Sequence, residues 1–156
     1  MRVASIIFEG ADINLTTARI MKFESSNEID ASLETVWEVV KDPEEWSQWV
    51  PSIKKVEKLS KGSLGVGVQV RVTAKASITV NLLMTITEFV PMQRVIMEGK
   101  ILGAKLIRSY TLEALNYKTR FTARGEVSGL TAWLDRRSGQ ALSDEIVQSL
   151  KKKIER

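Results

Sequence analysis

From Val66 to Ala76 every second residue is apolar (Val66, Val68, Val70, Val72, Ala74, Ala76), and the residues between them are Gly67, Gln69, Arg71, Thr73 and Lys75. A period of two sends alternate side chains to opposite faces of an extended chain, so the stretch predicts a strand with one buried and one wet face. Ile78, Val80, Leu82, Met84 and Ile86 repeat the pattern up to Glu88-Phe89-Val90-Pro91. Further strands are predicted around Val95, Met97 and Ile101, from Leu106 to Leu115, and from Tyr117 to Val127, the last two joined as a hairpin across Leu115-Asn116-Tyr117. Spacings this short favour an antiparallel meander, because parallel neighbours need crossovers of a dozen or more residues.

The segments on either side of the meander change period. Met21 to Ile29 still alternates, with Met21, Phe23, Ser25, Asn27 and Ile29 on one face. Ser32 is then placed to cap a helix in which Leu33, Val36, Trp37 and Val40 share one stripe. Asp42-Pro43-Glu44-Glu45 starts a second short helix, with Asp42 as cap, Pro43 at the first helical position and Glu45 at capping-box spacing, and Pro51 closes it. Trp46 and Trp49, three apart, both point inward as core anchors. After Gly129, residues Leu130 to Ile154 predict one long helix whose apolar stripe shifts sideways, and a kink near Ser138-Gly139 reconciles its two halves. Residues 1–20 lack a sustained period, either as an extra strand and arm or as a segment upstream of a native start at Met21; the organised domain is expected over 21–156.

Composition narrows the chemistry. The chain has no cysteine and no histidine, which removes disulfides, thiolate nucleophiles and the commonest metal ligand and general base. No Asp/Glu pair shows a metal-motif spacing, so no metal and no cofactor are expected. The net charge is +4, but the basic residues are scattered apart from Arg136-Arg137 and Lys151-Lys152-Lys153, and no aromatics interleave with them. A solvated helix face explains them better than a nucleic-acid patch. No apolar run is long enough to span a bilayer or to form a signal-peptide core, so a cytoplasmic protein is expected.

Residues 29–57, Ile-Asp-Ala-Ser-Leu-Glu-Thr-Val-Trp-Glu-Val-Val-Lys-Asp-Pro-Glu-Glu-Trp-Ser-Gln-Trp-Val-Pro-Ser-Ile-Lys-Lys-Val-Glu, resemble the opening signature of the START-like SRPBCC superfamily. That superfamily includes polyketide cyclase/dehydratases, pollen-allergen-type proteins and lipid-transfer domains. The resemblance extends in element order from Met21 to Ile154, and Gly129-Leu130-Thr131-Ala132-Trp133-Leu134 also resembles the carbon-monoxide dehydrogenase G-subunit branch. It implies an α+β helix-grip fold: a curved antiparallel sheet of six to seven strands around a long C-terminal helix, with a cavity between them for a hydrophobic ligand.

Polar residues at inward positions are the natural candidates for orienting such a ligand: Ser25 and Asn27 on the first strand, and Arg108 and Tyr110 between Leu106 and Leu112. Arg108 must be paired with a carboxylate, reach solvent, or face a wet cavity, because burying an unpaired charge is very unfavourable. A tyrosine such as Tyr110 is more often a core residue with a satisfied hydroxyl. Met84, Met97, Phe121 and Trp133 either line the same space or serve as ordinary core. The leading function is binding or transport of a lipid, polyketide-like or aromatic ligand. A second is a cyclase or dehydratase in which Arg108 stabilises an enolate and Tyr110 supplies a proton. A third is an assembly or recruitment factor whose last helix and basic end touch a partner protein, such as a carbon-monoxide dehydrogenase-type enzyme as the resemblance implies; a homodimer is the other partner considered.

Overall fold

The computed structural model describes residues 20–75, 78–132 and 136–156, and the expectations for residues 1–19, Ala76 and Trp133 lie outside them. The chain runs β1 (Ile20–Ile29), α1 (Leu33–Val40), a 3₁₀ helix (Pro43–Gln48), β2 (Ile53–Lys58), β3 (Gln69–Lys75), β4 (Thr79–Val90), β5 (Arg94–Ile101), β6 (Ala104–Leu115), β7 (Lys118–Ser128) and α2 (Arg136–Glu155). The seven strands form one antiparallel sheet in the order β1-β7-β6-β5-β4-β3-β2, so β1 and β2 are its edges. This is the helix-grip α+β architecture, with α2 lying in the concave face.

Local chemistry accounts for most boundaries. Ser32 caps α1 by accepting from the Thr35 N–H at 3.2 Å. Asp42 caps the 3₁₀ helix through the Glu44 N–H at 3.2 Å, one residue earlier than the capping-box spacing of Glu45 suggests, because a 3₁₀ turn is tighter than an α turn. Asn116 adopts φ +56° at the tip of the β6–β7 hairpin, a left-handed conformation that asparagine tolerates better than most residues.

A bulge in β4 moves the pairing from Ile86↔Met97 to Glu88↔Ile96 and leaves Thr87 extra. One inserted residue reverses the alternation. Phe89 therefore returns to the inner face, with its ring centroid 5.8 Å from that of Trp37 in α1.

Two sequence expectations are corrected. The strand predicted over Val66–Ala76 begins only at Gln69: Val66 is exposed, and Gly67, at φ +91°, turns the chain so that its N–H donates to the Ile86 carbonyl. The helix predicted from Leu130 begins, among the described residues, at Arg136, and Leu130 lies exposed in a turn after Gly129, whose φ is +132°.

The core divides into two halves. Under α1 and the 3₁₀ helix, Trp37, Trp46, Trp49, Tyr110 and Phe121 are all buried, and the Trp46 indole N–H donates to the Val40 carbonyl at 3.0 Å. Along α2, Ile146, Val147 and Leu150 are fully buried, each side chain contributing roughly 1.5–3 kcal/mol. That helix packs chiefly against β1 and β7, which leaves the β3–β5 side of the grip uncovered beneath its first turns.

Candidate functional site

The uncovered side forms a cavity of about 290 Å³. Its walls are the inward residues of β3 and β4 (Val72, Ala74, Val80, Leu82, Met84), Leu106 and Arg108 of β6, and the first turns of α2 from Ser138 to Glu145. Ile78 beside the β3–β4 turn and Leu102 in the β5–β6 turn also line it, and both are largely exposed, so the cavity opens at that end of the sheet. Inward from the opening, Met84 and Arg108 are 2% and 5% exposed. Among the described residues three charged side chains reach the lining: Lys75, Arg108 and Glu145. Glu145 is engaged at the wall, accepting from the Ser52 N–H at 2.9 Å and the Ser52 hydroxyl at 3.1 Å.

Arg108 is held by a helix it does not belong to. Its Nη1 donates to Ser143 Oγ at 2.6 Å and its Nη2 to the Gly139 carbonyl at 3.3 Å, while Ser143 Oγ itself donates to that carbonyl at 2.9 Å. The side chain crosses to α2 over Gly125, its register partner on β7, where an added Cβ would lie 3.2 Å from Nη1. Among the described residues no carboxylate lies within salt-bridge distance of the guanidinium. Glu98 pairs with Lys105 on the other face of the sheet.

Tyr110, two residues along β6, belongs to the other half of the core. Its ring meets Trp46 edge-on at 4.8 Å and stacks on Phe121 at 6.3 Å with 6° between planes. With Met97 it lines a separate small chamber of about 20 Å³ beneath the 3₁₀ helix. Burial raises the Tyr110 pKa, with the charge of Arg108 opposing that rise in part. The hydroxyl is therefore held neutral, and it makes no hydrogen bond among the described residues.

The eight candidate residues thus separate. Met84 and Arg108 line the main cavity; Met97 and Tyr110 line the small chamber; Phe121 is fully buried against Tyr110 and lines neither. Ser25 is half-buried and Asn27 exposed, and neither reaches the main cavity. The reason is that α2 lies along β1, so inward positions on that strand meet the helix or its rim; Asn27 sits beside Gln148, Lys151 and Lys152. Trp133 lies outside the described residues. Sequence reasoning missed Ser143, Gly139 and Gly125 as partners of Arg108. Gly125 had a signal: a two-residue loop at Asn116-Tyr117 pairs Leu115 with Lys118 and, counting back, Arg108 with Gly125.

The sequence model of the family described as polyketide cyclase/dehydrase and lipid transport matches residues 21–155. The chain belongs to that family. The match is to the family as a whole and does not single out the branch that Gly129–Leu134 resembles. No curated protein matches the chain. Among solved structures it is similar to a START superfamily protein from Mycobacterium smegmatis, at 18% identity, covering 86% of this chain and 97% of that one with a TM-score of 0.72. It is similar to the Zhui aromatase/cyclase from Streptomyces sp. R1128, at 16% identity, 88% and 94% coverage and a TM-score of 0.71. It is also similar to the di-domain aromatase/cyclase BexL of the BE-7585A biosynthetic pathway, at 17% identity, covering 92% of this chain and 53% of that one with a TM-score of 0.73. At these identities the structures share the fold. No helix among the described residues is long and apolar enough to cross a membrane.

Proposed function

We propose that this family member binds a small hydrophobic ligand in the cavity beneath the first turns of α2. The carrying observation is the cavity itself: about 290 Å³, open at one end, and walled by Val72, Ala74, Val80, Leu82, Met84 and Leu106. Ligand pockets are mostly apolar clefts with a few convergent polar groups, and this one fits at the small end of their size range. Taking a water-sized share of about 30 Å³ per non-hydrogen atom, it holds on the order of ten such atoms. A longer tail would extend through the opening between Ile78 and Leu102.

The test uses the neutral fluorophore N-phenyl-1-naphthylamine, whose emission rises on transfer from water to an apolar site. The expected result is saturable, stoichiometric binding that is lost in Ala74→Phe, which fills the wall, while the variant keeps a cooperative thermal transition. Absence of binding to the wild-type protein defeats the reading.

A further inference from the structure

We infer that the ligand of this cavity carries an anionic oxygen, in the form of a carboxylate, and enters with that end against Arg108 and its apolar body towards the opening. The inference rests on the cavity being a binding site and names the chemical class that the site selects.

Arg108 is 5% exposed and faces the cavity from β6. A guanidinium is charged at any pH a protein meets and has five N–H donors. Two of its groups donate to Ser143 Oγ and the Gly139 carbonyl, both neutral acceptors. Neutral acceptors orient a cation without neutralising it, and a buried charge without a counter-ion is costly. Among the described residues no carboxylate stands within salt-bridge distance of it, and the one carboxylate in the cavity lining, that of Glu145, is taken by Ser52. The remaining walls are almost wholly apolar.

The structure also maintains this arrangement. Gly125 leaves the space over which the guanidinium crosses, and Ser143 is fully buried with its hydroxyl against Nη1. A planar fork fixed at the inner end of an apolar cavity matches a carboxylate in geometry as well as charge. The Glu145 carboxylate in the same lining, already taken by Ser52, disfavours an anion beside it. The Lys75 ammonium, beside the β3–β4 turn, meets the anion only in passage.

The experiment compares decanoate with decanol, which share an apolar chain, by displacement of N-phenyl-1-naphthylamine at neutral pH. In the wild-type protein decanoate is expected to bind about tenfold or more tightly than decanol, the range of a charge-assisted hydrogen bond. That preference is expected to collapse in Arg108→Met with decanol affinity retained, and to be partly kept in Arg108→Lys. Equal affinity of the two in the wild-type protein overturns the inference and leaves the cavity reading standing. Binding of neither the fluorophore nor either compound overturns both. The wild-type comparison decides the matter even if Arg108→Met fails to fold.

Discussion

The ring of Phe23 on β1 occupies the space that a side chain at position 139 of α2 would need. A Cβ built on Gly139 would overlap Phe23 Cε2 and lie 2.6 Å from Cδ2. Gly139 is thus a point of close approach between helix and strand, where the sequence suggested a kink. Elsewhere in an exposed helix, glycine to alanine is favourable by about 1 kcal/mol. Here the clash with an aromatic ring outweighs it, and Gly139→Ala is expected to destabilise the protein by about 1–3 kcal/mol. Urea unfolding measures this, and pairing the change with Phe23→Leu should recover part of the loss, because the two residues share one contact. Additive single and double variants would refute the packing argument.

Arg108→Met is expected to leave the ligand-free protein as stable as the wild type or more so, by up to about 1–3 kcal/mol, since it replaces a charge that has no counter-ion among the described residues by an apolar side chain of similar length. Ser143 is not orphaned by the change, because its hydroxyl already donates to the Gly139 carbonyl. Thermal denaturation reads the effect. A large destabilisation would mean that the guanidinium is a structural tie rather than a feature kept at a cost to stability.

Gly125→Val puts a branched side chain where the Arg108 guanidinium crosses, with Phe23 Cδ2 also only 3.3 Å from the new Cβ. The expected outcome is a cost of about 1–3 kcal/mol and a weakened decanoate preference, even though residue 125 has no polar side chain of its own. An unchanged preference would show that the guanidinium reaches the cavity by another path.

Tyr110 supplies a pH dependence. Burial raises its folded-state pKa above the ordinary value of 10.0 that the unfolded chain shows. The neutral phenol therefore contributes stability that is fully present below about pH 10 and is lost as pH rises through the folded value. Urea midpoints measured from neutral to strongly alkaline pH should fall more steeply in the wild type than in Tyr110→Phe. At neutral pH the substitution should cost less than about 1 kcal/mol, because the hydroxyl has no hydrogen bond to lose among the described residues. Parallel pH profiles would contradict the assignment.

What could be read from the residues alone was whatever depends on short spacing. The alternation through Val72 and Ala74 and through Val80, Leu82 and Met84 specified an inner face, and those positions wall the cavity. Ser32, Asp42 and the Trp46/Trp49 pair marked the two short helices and their inward faces. Arg108 was identifiable as a polar residue at an inward position for the same reason. Tertiary structure decided what those inward faces meet. Because α2 lies along β1 and β7, the inner positions of β1 were taken from the cavity, and Ser25 and Asn27 with them. Because the bulge at Thr87 and the two short helices fill the other half of the grip with aromatic rings, Tyr110 was separated from Arg108 into a different chamber. Period and capping are local properties of a few consecutive residues, whereas the side of the sheet on which one helix comes to rest depends on contacts between segments more than a hundred residues apart, such as Phe23 with Gly139.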